Sequence, residues 1–149
     1  MIRFYVEDIT FDVPQKRALK MWLKAVSAAE GWNTGNISVV CCSDDYLLQI
    51  NKQFLQHDYY TDIITFDYTD CTCRVVSGDL FISIDAVRAN AQTYAQDFMH
   101  ELHRVMVHGI LHLCGYKDAT AAEQKLMRAK EDYYLQEKNK QILTVKPKN

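Results

Sequence analysis

The stretch FMHELHRVMVHGILHLCGYKD, residues 98 to 118, decides how the chain is read. Phe98 to Leu113 has the composition of a helix, and Gly115 ends it, because glycine takes the left-handed backbone that closes a helix. His108 and His112 stand four residues apart, so both imidazoles leave the same face and can grip one ion. Alone, such a pair is weak evidence. Here Gly115 reverses the chain three residues later and brings Asp118, six residues after His112, within reach as a third ligand. The flanking Val105, Met106, Val107, Ile110, Leu111 and Leu113 give the histidines mostly apolar neighbours, which argues against plain solvated positions. Asp118 could instead cap the following helix. Thr120 and Glu123, however, have the S/T-x-x-E spacing of a capping box, which gives that helix its own start and leaves Asp118 free.

Three protein ligands and an open fourth position suit a hydrolytic metal, zinc first among the candidates, which lowers the pKa of bound water. Metalloproteases with H-E-x-x-H use the Glu as general base, and Gly109 in that position has no side chain to accept a proton, which disfavours a peptidase. Cys114 lies two residues from His112 on another side of the helix and reads as core. Cys41-Cys42 and Cys71-Thr-Cys73 lack the paired spacing of a zinc ribbon. Five cysteines without a signal peptide predict a reduced, cytoplasmic protein.

Outward from this helix, the pattern alternates. Ile2 to Glu7 reads as a strand. Leu19, Trp22, Leu23 and Val26 then form one helical face, with Gly31 as the stop. Ile37 to Cys42 reads as a second strand. Ser43 or Asp44 caps a helix that carries Leu47, Leu48, Ile50, Asn51 and Phe54. Ile63 to Phe66 and Leu80 to Ile84 have strand composition and are expected to be neighbours. Asp85 to Gln96 reads as a helix. A last helix from near Thr120 is expected to bury Leu126, Met127, Tyr133 and Tyr134. The sum is an α+β single domain: about four strands in a mixed sheet packed with about five helices, and a metal cleft at the end of the H-x-x-x-H helix.

Composition agrees with one folded unit. Of 149 residues, 48% are hydrophobic and 24% charged, and no apolar run approaches the ~20 residues that span a bilayer. The net charge of -2 is unevenly placed: residues 1–137 hold all the acids, while 138–149 hold Lys138, Lys140, Lys146 and Lys148. The chain is therefore divided into a hydrolase-like body, 1–137, and a basic C-terminal tail, 138–149, expected to be flexible. An acidic body does not attract phosphate from afar, so RNA contact would need a local basic surface or the tail.

From His108 to Tyr116 the sequence matches H-G-x-L-H-L-x-G-Y and resembles the YbeY family of metal-dependent, single-strand-specific endoribonucleases. Ile50-Asn51, Asp58 and Thr61-Asp62-Ile-Ile-Thr-Phe66 resemble a second family segment, and Gly78-Asp79-Leu-Phe-Ile-Ser83 a third, in family order. The resemblance implies a metal cleft beside the Thr61-Asp62 strand and single-stranded rRNA as substrate, with 16S rRNA 3′ end processing and ribosome quality control as the role. It also implies the small ribosomal subunit or its proteins as partner. Three positions depart from the pattern. Asp118 stands where the family has a third histidine, Lys117 where it has an acid, and Leu55 where it has an arginine. A carboxylate in place of an imidazole lowers the formal charge of a zinc site from +2 to +1 and makes harder ions more competitive. Lys117 could partly replace the missing arginine, or be a solvated loop lysine.

Further candidates for RNA contact or for support of the ligands are Glu101 and Arg104 on the histidine helix, Thr61, Asp62 and His57. Glu101 and Arg104 could equally form a surface pair, and His57 could meet only solvent. The leading reading is a metal-dependent endoribonuclease in which His108, His112 and Asp118 are both ligands and the catalytic centre. The nucleophile is either water or an RNA hydroxyl, and a cyclic phosphate product would distinguish the second. The alternative is a weakly active or inactive ribosome-assembly factor that binds rRNA or a small-subunit protein around a structural metal. Hydrolysis of a small ester or amide is a third reading, because the metal chemistry is not substrate-specific.

Overall fold

A computed structural model describes residues 1–56 and 60–140, with the helical backbone followed to Thr144. Along the chain run β1 (Ile2–Val6), α1 (Lys16–Ala29), β2 (Asn33–Cys42), α2 (Asp44–Leu55) and β3 (Ile63–Asp67). They are followed by β4 (Val75–Ser83), α3 (Ile84–Thr93), α4 (Phe98–Leu113) and α5 (Ala121–Thr144). The four strands form one mixed sheet in the order β1-β2-β4-β3. β1, β2 and β4 are parallel, and β3 pairs antiparallel with β4, with Ile63 opposite Ile82. The expected α+β architecture is therefore present, with β3 at one edge. Strands β2 and β4 begin earlier than their β-rich cores suggest, at Asn33 and Val75.

Helix α4 positions the site. It packs on β3 and β4 and also touches α1, α3 and α5. A helix enclosed in this way must be apolar nearly all round, and Leu102, Val105, Met106, Val107, Ile110, Leu111 and Leu113 are all buried. Gly109 sets how close it comes to the sheet. A Cβ there would lie 2.8 Å from Leu80 Cδ1 and 3.0 Å from Ile63 Cδ1, so glycine lets the turn between the two histidines rest on these strands without displacing the ends of those side chains. On the other face of the sheet, α2 covers a smaller cluster of Cys42, Leu47, Ile50 and Ile64.

Two expectations about the C-terminal part are corrected. Leu126 and Tyr133 are exposed, at 50% and 54%, and the stripe that α5 buries is instead Met127, Glu131, Tyr134, Leu135 and Lys138. A search for apolar spacing selects the wrong line because two of these buried residues are charged, and one of them has its partners on α4. The break placed at residue 137 is also not a break in the fold: α5 continues to Thr144, and Lys138 is 8% exposed, its ammonium 5.7 Å from the Trp22 ring centroid. Residues 145–149 of the expected tail lie outside the described residues, as does His57. No helix among the described residues is long and apolar enough to cross a membrane.

Candidate metal centre and cleft

The last turn of α4 delivers His108 and His112 with ring centroids 4.8 Å apart. Beyond it Gly115, at φ 103°, closes the helix: its N–H donates to His112 O at 3.0 Å and the Tyr116 N–H to Leu111 O at 3.0 Å. The reversed chain is then fastened. Tyr116 Oη donates to Glu30 Oε1 at 2.6 Å, and Glu30 also accepts from Lys130 at 3.2 Å and from Tyr134. Burial alone would raise the Glu30 pKa, but these hydrogen bonds, with Lys130's charge, hold it below the usual carboxylate range. Past the turn, Thr120 Oγ1 accepts from the Glu123 N–H at 3.1 Å and Glu123 Oε1 from the Thr120 N–H at 2.9 Å, the reciprocal capping box expected from sequence.

Asp118 therefore has no capping task and faces the rings. Its Oδ2 lies 3.6 Å from His108 Nε2, and one ligand atom from each of His108, His112 and Asp118 lies within 4.8 Å of the others. Donors about 2.0–2.1 Å from a tetrahedral ion are about 3.4 Å apart, so small side-chain adjustments suffice to close the set on one ion. The residues fit a divalent metal.

Glu131, which the sequence reading missed, completes the arrangement. Its Oε2 is 2.6 Å from His108 Nδ1, and its Oε1 accepts from Arg104 Nη1 at 2.9 Å; Arg104 Nη2 reaches Asp132 Oδ1 at 2.7 Å. A carboxylate on Nδ1 fixes that nitrogen as the N–H and leaves Nε2 with its lone pair toward Asp118. Burial pulls the His108 pKa down, but the Glu131 hydrogen bond and the charges of Glu131, Asp118 and Asp62 outweigh it and hold it above the ordinary value. His112 goes the other way: burial and the neighbouring His108 charge depress it. The sequence signal for Glu131 was an acid on the same side of α5 as Met127, Tyr134 and Leu135. Its partner 23 residues away is fixed only by how α5 docks on α4.

Two cavities meet at the triad, sharing Asp62, Ile63, His108 and Asp118. The larger, about 610 Å³, follows β3 and the end of α2 and includes His112, Thr61 and Leu55. The smaller, about 320 Å³, lies between α3, α4 and α5 and includes Asn90, Glu101, Arg104 and Arg128. Burial raises the Asp62 carboxyl pKa, against the opposing pull of His108. Glu101 is buried, and Arg104 turns to α5, so neither belongs to a surface pair. Lys117 is exposed and lies outside the lining of both cavities; its charge acts on Glu123 instead. Leu55 lines the larger cavity, and the exposed Arg128 lines the smaller one with no ion pair among the described residues.

The family model described as Endoribonuclease YbeY matches residues 2–139. A curated Endoribonuclease YbeY from Parabacteroides distasonis is 51% identical over 131 residues, covering 88% of this chain and 91% of that protein. Another from Cytophaga hutchinsonii is 47% identical over 131 residues, with the same coverage of both chains. Among solved structures, the solution structure of a Thermotoga maritima protein aligns over 97% of this chain and 93% of its own, with a TM-score of 0.67 and 27% identity.

Proposed function

The chain belongs to the endoribonuclease YbeY family, and from that premise we propose how this metal-dependent endoribonuclease of rRNA processing holds its ion and its strand. His108, His112 and Asp118 are the ligands, and zinc is the ion we favour, because two imidazoles and one carboxylate with a free fourth position form a hydrolytic zinc set. The observation that carries this reading is the convergence of the three ligand atoms within 4.8 Å where the two cavities join. When bound, the ion supplies an activated water or a polarised phosphoryl oxygen.

The chain's own residues do the rest. Glu131, braced by Arg104, holds the His108 ring in the ligating tautomer. Asp62 and Thr61, at the rim of β3, face the scissile region and orient the strand through their side chains. Arg128 supplies the planar cation that Leu55 cannot, and binds a phosphate next to the metal from the α5 side. Single-stranded rRNA is the substrate, the 16S 3′ end the site, the small ribosomal subunit the partner and the cytoplasm the compartment. The family match favours this enzyme over an inactive assembly factor.

The test is one preparation, purified without added metal, analysed for ion content and assayed on single- and double-stranded RNA. The expected result is a bound divalent ion, chelator-sensitive cleavage of the single strand, and loss of both in a His108→Ala, His112→Ala double variant. Equal metal content in wild type and double variant would overturn the ligand assignment.

A further inference from the structure

The opposite end of α4 borders a cavity of about 390 Å³ with no role in the metal site. Lys138 lines it, 8% exposed, and burial lowers its pKa with no carboxylate contributing. Its ammonium lies over the Trp22 ring and its charge acts on His103, and among the described residues no hydrogen-bond acceptor or carboxylate meets it. His103 lines the same cavity at 5% exposure, and its Nε2 has no hydrogen-bond partner. Met99 and His100 add the first turn of α4 to the wall, and Asp97 makes no side-chain capping hydrogen bond to that turn. The start of a 16-residue helix, with the positive end of its dipole, therefore borders the same space.

An enclosed cation without a counter-ion and an enclosed ring nitrogen without a partner are each unfavourable, and an uncapped helix start adds a third unmet donor set. One ligand chemistry satisfies all three. We propose that this cavity is a binding site for a phosphate-type oxyanion, held by Lys138 Nζ, His103 Nε2 and the first-turn N–H groups of α4. Asp97, the one acid among the described lining residues, is exposed, where water screens its charge.

The oxyanion has two possible sources. A cavity of about 290 Å³ shares His100, Leu135 and Asn139 with the proposed site and contains Arg104, which also lines the smaller cavity at the metal. The three cavities thus follow one another along α4, about 12 Å of helix from His108 to His100, with the Arg104 guanidinium on Glu131 and Asp132 between the first two. A backbone phosphate of a bound strand could follow them, and that form of the proposal rests on the nuclease reading. Free phosphate has the same chemistry and does not depend on it.

The experiment titrates the full-length, metal-loaded chain, with 15N-labelled histidine, with inorganic phosphate and separately with a nuclease-resistant 2′-O-methyl phosphorothioate oligonucleotide. The His103 ring resonances should shift saturably, and Lys138→Met should weaken phosphate binding by roughly tenfold or more while metal content is unchanged. If that variant also weakens oligonucleotide binding and lowers the salt slope by about 0.7, the strand supplies the phosphate. If oligonucleotide binding is unaffected, the site takes the free anion. His103 resonances unmoved by both ligands, or phosphate binding undiminished in the variant, would overturn the proposal. Should Lys138→Met unfold at a lower temperature than the assay allows, His103→Leu replaces it, with phosphate binding followed by titration calorimetry in variant and wild type. RNA cleavage is scored separately, so loss of the nuclease reading with phosphate binding intact leaves the anion site standing.

Discussion

Helix α4 carries two histidines near each end, and the two ends treat them in opposite ways. At the C-terminal end His108 has a carboxylate on each ring nitrogen, Glu131 on Nδ1 and Asp118 facing Nε2, and its pKa is raised. At the N-terminal end His103 is packed against Trp22, ring centroids 5.9 Å apart, with Nε2 unpartnered and its pKa pushed down to about 3. Helix and residue type are the same. What differs is which acids other elements bring up: a reversed loop and α5 at one end, a lysine at the other. The state of each imidazole is set by the charged groups that other parts of the chain bring to it.

The largest expected effect breaks the comparison at His103. Unfolded, this imidazole takes a proton below its ordinary pKa of 6.5; folded, it resists until about pH 3. The unfolded state thus binds more protons in that window, and stability falls as pH drops from 6.5 towards 3, by on the order of 3–5 kcal/mol in all. His103→Leu removes the titration. Urea unfolding of the metal-free chain at several pH values should show a flatter acid limb in the variant and little difference in slope above pH 7. Parallel acid limbs would mean that His103 is not held neutral by the fold.

Next comes the His108 end. Glu131→Gln keeps the shape and a hydrogen-bond acceptor but removes the charge behind the ring, and metal affinity measured by competition with a chelator should fall by roughly 10- to 100-fold. The substitution also leaves Arg104 paired only with Asp132. A companion Asp132→Asn variant, exposed and away from the ring, should leave affinity nearly unchanged. Equal losses in both would assign the effect to Arg104 and not to His108.

The same contrast explains what could be read from the chain before its structure. The bounds of α4, the closing role of Gly115, the capping box at Thr120 and the convergence of His108, His112 and Asp118 follow from spacing, because each involves residues within one helix turn or one loop. Glu131 and Lys138 did not, because a charged residue on a buried stripe is indistinguishable by spacing from one in solvent until its partner is placed. Lys117 fails for the complementary reason. It is adjacent to Asp118 in sequence, but the turn that brings Asp118 to the two rings leaves Lys117 in solvent, while Arg128 lines the smaller cavity from α5. Gly109 reads from sequence as the absence of a base, and the fold shows its other role in bringing α4 against Leu80 and Ile63.

The smallest expected effect sharpens the comparison at the turn itself. The reversal at Gly115 is what the C-terminal end of α4 has and the other end lacks, and it is a backbone feature. A Cβ at Gly115 would meet nothing within 4 Å, so Gly115→Ala introduces no clash, and its whole effect comes from φ 103°, which L side chains rarely adopt. The strain is about 1–2 kcal/mol. Two responses are open to the chain. If the Tyr116 anchor on Glu30 holds, the strain stays in the turn, the melting temperature falls by several degrees and chelator competition returns wild-type metal affinity. If the anchor gives way, the turn relaxes, Asp118 swings off the rings and affinity falls while the melting temperature recovers. The three hydrogen bonds that Glu30 accepts from Tyr116, Lys130 and Tyr134 favour the first outcome, a loss of stability with the ligand set intact. Addition of Glu30→Gln to the same chain should convert it to the second, since the buried acceptor that fastens the loop is then weakened.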